Sequence, residues 1–217
     1  MGGQYQYFFR LKINAIRKFI SSHDDRHLMF LDCDTYVIGG LKVIKERLDK
    51  GIGLMHKDEG SMTEMKGPCG KMWHQTKGKE YAGIVIDEKY HMWNSGVFAI
   101  PQPHLHTVMD LNLAICDAFL ADGVIFHALE QWGGAIALSS QAKGIEEADK
   151  FIGHYWHHKE VWSRYITSFF ITSFAKGRNI ESEIAIIKNT NFRLRAIRLN
   201  IKRICIKGIR KMFHRKG

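Results

Sequence analysis

The sequence predicts an α/β fold, and three features of one short span predict it. His27–Leu31 carries four large apolar residues in a row and stops on Asp32-Cys33-Asp34, as a buried strand stops at a polar loop. Gly39–Lys50 then repeats Leu41, Ile44 and Leu48 at helical spacing. Ile52–Met55 returns to a short apolar run. Strand, helix, strand in so few residues argues for a sheet flanked by helices.

The remaining elements follow in order. Residues 5–20 predict an amphipathic helix, because Phe8, Leu11, Ala15 and Phe19 recur at helical spacing and Ile16 and Ile20 widen the stripe. Residues 56–80 are rich in glycine and lysine with little periodicity, which predicts a long loop of the kind that covers a binding site. Met92–Ile100 predicts a turn at Asn94-Ser95-Gly96 leading into a strand that Pro101 and Pro103 end. A helix is expected through Val108, Leu111, Ile115, Ala118 and Phe119, and another over Val124–Trp132, divided by Gly123. Phe151–Trp162 is an aromatic and histidine cluster. Residues 190–214 place Leu194, Ile197, Ile201, Ile204, Gly208 and Met212 on one stripe, with Arg195, Arg198 and Lys202 off it, which predicts a basic amphipathic helix.

With 217 residues, 45% of them apolar, the chain can bury a sizeable core and is not of disordered composition. It has no run of 18 apolar residues and no signal-peptide core. Cys33, Cys69, Cys116 and Cys205 form no CxxC pair, which reads as reduced thiols in a cytoplasmic protein. The net charge of +10 is concentrated at one end: Lys188–Gly217 holds eleven Lys and Arg and no Asp or Glu. The segment either docks on its own domain and shows a solvated basic face or, as like charges so crowded favour, meets an anionic surface; a membrane at the inner face of the cell fits better than nucleic acid, since no aromatics are interleaved. The expected organisation is a catalytic domain over 1–175 and a basic helical tail over 176–217.

The chemistry centres on Asp32 and Asp34. Ligands of α/β sheets sit beyond the carboxyl ends of the strands. Two carboxylates at i and i+2 can converge there on one hard cation, leaving coordination positions for a diphosphate. An aspartate pair also caps turns; the apolar strand before it and the helix after it favour the metal site.

FLDCDTYV, WNSGVF, LEQW and HYWHHKEVW occur in that order. With these landmarks the chain resembles the GT-A-fold, nucleotide-sugar-dependent glycosyltransferases, and most of all the family 8 galactosyl- and glucosyltransferases of bacterial surface polysaccharides. The resemblance spans about Tyr5 to Trp162. It implies a GT-A-like mixed sheet flanked by helices, and a hexosyltransferase that passes sugar from a nucleotide diphosphate, such as a UDP-sugar, to a glycan or glycolipid. It further implies Mn²⁺ or Mg²⁺ held by Asp32, Asp34 and His154, with Lys159 on the diphosphate. His157 is the alternative ligand, because the family's HxxGxxKPW pattern is matched here without its glycine and proline, and with His-to-Lys spacing one residue short. Asn94, Ser95 and Gly96 correspond to the turn facing donor sugar and acceptor. Glu130 and Gln131 correspond to the acidic-Gln pair near the reacting sugar, with Glu130 acting as base or merely orienting the sugar.

Two or three nucleotide-binding strands ordinarily precede DxD in such enzymes, whereas only 31 residues precede Asp32 here. The expectation is an N-terminally truncated catalytic domain that binds nucleotide sugar poorly alone. Two rival readings are a haloacid-dehalogenase-like phosphatase and an inactive, transferase-derived membrane-surface scaffold. The phosphatase pattern asks for Thr or Val where Tyr36 stands, and for a late acidic motif that Glu146, Glu147 and Asp149 do not form.

Overall fold

The computed structural model describes residues 6–156 and 159–188. In chain order the elements are α1 (Arg10–Ile20), β1 (Leu28–Leu31), β2 (Thr35–Val37), α2 (Leu41–Asp49), β3 (Gly53–Ser61), α3 (Gly67–Thr76), β4 (Glu80–Tyr81), β5 (Ile84–Val85), β6 (His91–Ile100), α4 (Leu105–Ala121), α5 (Leu129–Gln141), β7 (Ile145–Glu147), β8 (Ile152–His154), α6 (Lys159–Ala175) and α7 (Ile180–Lys188). The chain divides into two compact units, one ending at His154 and the other beginning at Tyr155.

The first unit is α/β. Its four-stranded sheet runs β1-β6-β3-β7. β6 is antiparallel to both β1 and β3, and β7 lies parallel to β3, so the sheet is mixed. β6 is buried along most of its length because both faces are covered. Phe98 and Ile100 join one cluster with Ile13, Ile16, Met109, Phe119 and Trp132 from α1, α4 and α5. Val97 and Ala99, on the opposite face, join Ile44 and Leu48 of α2, with Leu54, Ala148 and Ile152. A strand covered on both sides reads as an unbroken apolar run, which is why FAI follows GV without alternation. A separate ribbon, β2 with β8, pairs Thr35 with His154 and Val37 with Ile152.

Four expectations need correction. The helix expected over 5–20 starts at Arg10. The loop expected over 56–80 is a continuation of β3 to Ser61, then α3, then the start of a two-strand hairpin. Polar His56-Lys57-Asp58-Glu59 hid the strand because pairing with β6 holds it, and α3 spans under three turns, too few for periodicity to show. Pro68 sits in its first turn, where a missing N–H costs nothing. Asn94-Ser95-Gly96 does not turn before a strand; it lies inside β6. The helix expected over 124–132 begins only at Leu129, although Val124 and Phe126 are buried, so their apolar spacing reflects core packing outside a helix. The tail expected at 190–214 lies outside the described residues. No helix among those described is long and apolar enough to cross a membrane.

Candidate metal centre

The site forms where the sheet and the β2–β8 ribbon meet. Asp32 follows β1 directly, and its backbone N–H donates to Gly96 O at 2.9 Å, carrying the β1–β6 ladder one residue further. Thr35 closes the turn: its N–H and its hydroxyl both donate to Asp32 O, at 3.1 and 2.7 Å. That turn exposes Cys33 and buries Asp34. The ribbon then delivers His154 from 120 residues away to within 3.0 Å of Asp34 Oδ1. Ligand atoms of Asp32, Asp34 and His154 all lie within 4.8 Å of one another. Among the described residues no other group of three His, Cys, Asp or Glu converges so closely.

The hydrogen bonds fix the state of the imidazole. Gly96 N–H donates to Asn94 Oδ1 at 3.0 Å, while Asn94 Nδ2 donates to Glu59 Oε1 at 3.2 Å, which sets the amide orientation. His154 Nδ1 is 2.9 Å from the same Asn94 Oδ1 and must therefore donate to it. In the neutral ring Nε2 is then an acceptor facing a carboxylate oxygen. Such a contact is favourable only with a cation shared by the two atoms, either a proton on Nε2 or a metal ion. Burial pushes the His154 pKa below the ordinary histidine range, against the pull of Asp34 and Asp32. Two carboxylates and one imidazole, with Asn94 orienting the ring from behind, suit a divalent cation of the Mn²⁺ or Mg²⁺ kind.

Gly96 is required by this packing. A Cβ there would lie 2.2 Å from Nδ1 and Cε1 of His154. What approaches that glycine is the imidazole. Gly153 is held likewise, since a Cβ would meet the Tyr36 ring at 2.1 Å.

Around the centre lies a shell that sequence reading largely missed. Lys12 of α1 reaches Asp32 Oδ1 at 3.2 Å, donates to Ser95 O at 2.9 Å and Ser95 Oγ at 3.1 Å, and lies over the Phe30 ring. Nothing in its place between Leu11 and Ile13 marks it beforehand, since one lysine on a helix attracts no notice. Glu59 is the second. Its carboxylate accepts from Asn94 Nδ2 and, at 3.2 Å, from Gln131 Nε2. Gln131 Oε1 in turn accepts from Ser95 N–H at 3.2 Å. Asn94, Ser95 and Gln131 are thus one network, built across the β3–β6 pair where its register shifts. His56, also on β3, is buried edge-on to His154 with ring centroids 5.0 Å apart. Burial, helped by its neighbour His154, drives its pKa down to about 4.

Glu130 stands slightly apart. It is buried, and its Oε2 accepts from the Tyr7 hydroxyl at 2.6 Å. It shares with Lys12, Ser95 and Asn112 the wall of a cavity of about 10 Å³, about the space of one water. Asn112 Oδ1 is buried there with no partner among the described residues. Burial raises the Glu130 pKa, and the Tyr7 hydroxyl and Lys12 oppose the rise. Lys159 opens α6 in the unit beginning at Tyr155. His157 lies outside the described residues. No family model matches this sequence, and no curated protein matches it.

Proposed function

We propose that this chain is a metal-dependent glycosyltransferase of the GT-A-like type, passing a sugar from a nucleotide-diphosphate sugar to a glycan or glycolipid acceptor in surface-polysaccharide synthesis. The observation that carries the reading is the convergence of Asp32 and Asp34 with a histidine 120 residues away at the mouth of a sheet. It is the set of ligands that the motif order leads one to expect. A bound divalent ion would supply Lewis-acid charge for a diphosphate leaving group.

The chain's own residues then have distinct tasks. Asp32, Asp34 and His154 hold the cation. Lys12 offers a positive charge beside Asp32, fixed by Ser95, where negative charge grows as the sugar–phosphate bond breaks. Lys159 is assigned to the diphosphate on the motif alone. Asn94, Ser95, Gly96 and Gln131 present a preset row of polar groups to sugar and acceptor. Glu130 is turned toward Tyr7 and the Lys12 cavity, and we assign it to orienting that row rather than to proton abstraction. The basic tail of residues 190–214 holds the enzyme peripherally at the inner face of an anionic membrane.

The test is Mn²⁺-dependent hydrolysis of a panel of UDP-sugars by the full chain. We expect slow release of UDP, abolished by chelation, and lowered about 10-fold to 100-fold in a Lys12→Met variant that retains Mn²⁺ binding. Mn²⁺ binding without turnover on any sugar nucleotide would leave a scaffold. Phosphate release from p-nitrophenyl phosphate, lost in Asp32→Asn, would restore the phosphatase.

A further inference from the structure

The unit beginning at Tyr155 carries a feature that the metal centre does not use. α6 and α7 are joined by a four-residue turn, residues 176–179. Gly177, at φ +59°, ends α6, and the Arg178 N–H closes back on Ser173 O at 3.1 Å. Asn179 then caps α7, its Oδ1 accepting from the Ser182 N–H at 3.0 Å. Ser173 and Glu183 hydrogen-bond across the pair. The outer residues are apolar. Phe170, Ile171 and Phe174 fall within one third of the α6 circumference, Ile180 and Ile184 share a face of α7, and all five are exposed. Phe174 is 90% exposed and Ile180 69%. Between them, at the apex, stand Lys176 and Arg178.

Charge says what such a surface meets. The helices and the turn between them are nearly balanced, with Lys159, Arg164, Lys176, Arg178 and Lys188 against Glu160, Glu181 and Glu183, and the sequence beyond Lys188 adds ten Lys and Arg and no Asp or Glu. Aromatic and aliphatic side chains at an apex flanked by Lys and Arg, on helices too short to span, match an interfacial anchor. Basic residues bring it to anionic headgroups, and the apolar side chains pass below them.

We infer that the α6–α7 apex, through Phe170, Ile171, Phe174 and Ile180, inserts into the headgroup region of an anionic bilayer. This deepens the membrane part of the proposed function: the tail supplies attraction, and the α6–α7 turn supplies depth. It is independent of the sugar chemistry.

The test uses the full chain with phosphatidylcholine–phosphatidylglycerol vesicles and with pure phosphatidylcholine vesicles. We expect co-sedimentation with the anionic vesicles only. The double variant Phe170→Ser/Phe174→Ser should bind them at least about 100-fold more weakly, by the loss of two buried apolar side chains. Its circular dichroism should match the parent, because both positions are exposed. A Phe174→Trp variant should gain fluorescence that brominated lipid quenches beyond the parent's own. Equal binding by parent and double variant, with binding lost when tail lysines and arginines become glutamine, overturns insertion of the α6–α7 turn and leaves the tail reading standing. No binding by the parent overturns both. A dimer that Phe174→Ser dissociates assigns the face to a second copy and overturns the inference as well.

Discussion

Two imidazole–carboxylate pairs sit along β6 and its neighbours, and they teach different things. His154 lies 3.0 Å from Asp34, with side chains only 5% and 11% exposed. His91 lies 2.8 Å from Asp58, 40% and 31% exposed. By distance alone the second is the better contact. Water and ions screen it, however, and its worth is that of a surface pair. Asp58 also spends Oδ1 on the Gly60 N–H. The first pair is dry, has Asp32 within reach, and is backed by Asn94. What separates a candidate metal centre from a surface ion pair here is a third potential ligand and exclusion of water, and the distance within the pair shows neither.

The sharpest way to break this comparison is to neutralise one acid in each pair. Asp34→Asn removes a ligand from the buried centre. Outer-shell changes alone cost about 10-fold to 100-fold in metal affinity, so loss of a ligand should exceed about 100-fold. Asp58→Asn should leave Mn²⁺ affinity unchanged. Isothermal titration with Mn²⁺ measures both. Equal affinities for Asp34→Asn and the parent would remove the metal centre altogether.

A smaller effect tests the packing that makes the buried pair dry. Gly96→Ala adds a carbon where the His154 ring now lies, 2.2 Å away. The ring sits on a short strand and cannot retreat without breaking its bonds to Asn94 and Asp34. Overpacking of this kind costs about 1–3 kcal/mol, and it should weaken Mn²⁺ binding together with thermal stability. Lys57→Ala, exposed and near the second pair, should stay within about 0.5 kcal/mol of the parent. A Gly96→Ala protein that melts and binds Mn²⁺ as the parent does would show that the ring has room to move.

The same contrast explains what was legible beforehand. β1, α2, β6 and α4 were readable because burial writes itself into apolar spacing, and Asp32 and Asp34 were readable because they interrupt it. His154 was reached only through motif order, since a histidine's partner 120 residues away leaves no local trace. Lys12 and Glu59 were not legible at all. Each acts through its neighbours, and nothing in the spacing of a lone lysine in α1 or an acid in a polar run marks it. The polar stretch of β3 was hidden for the same reason: cross-strand pairing with β6, not local pattern, makes it a strand. The long helical reading of 124–132 failed in the opposite sense, where buried side chains mimicked a period that the backbone does not follow.

The smallest effect concerns burial without a pair. Glu130 is as buried as Asp34, yet among the described residues no second acid or imidazole clusters with it; Tyr7 is its hydrogen-bonding partner. Burial holds its folded pKa above the ordinary 4.5. Between those two values the folded chain keeps a proton that the unfolded chain has released, so stability falls as pH rises through that window. Above the window the cost of the buried charge is present in full. Glu130→Gln keeps an acceptor for the Tyr7 hydroxyl and removes the charge. Its stability relative to the parent should therefore increase as pH rises from below 4.5 toward neutrality, and stay level at lower pH where both side chains are neutral. Urea denaturation across that pH range measures the difference. A relative stability that instead falls with rising pH would mean that the ionised carboxylate is stabilised in place, with Lys12 as the nearest source of the compensating charge.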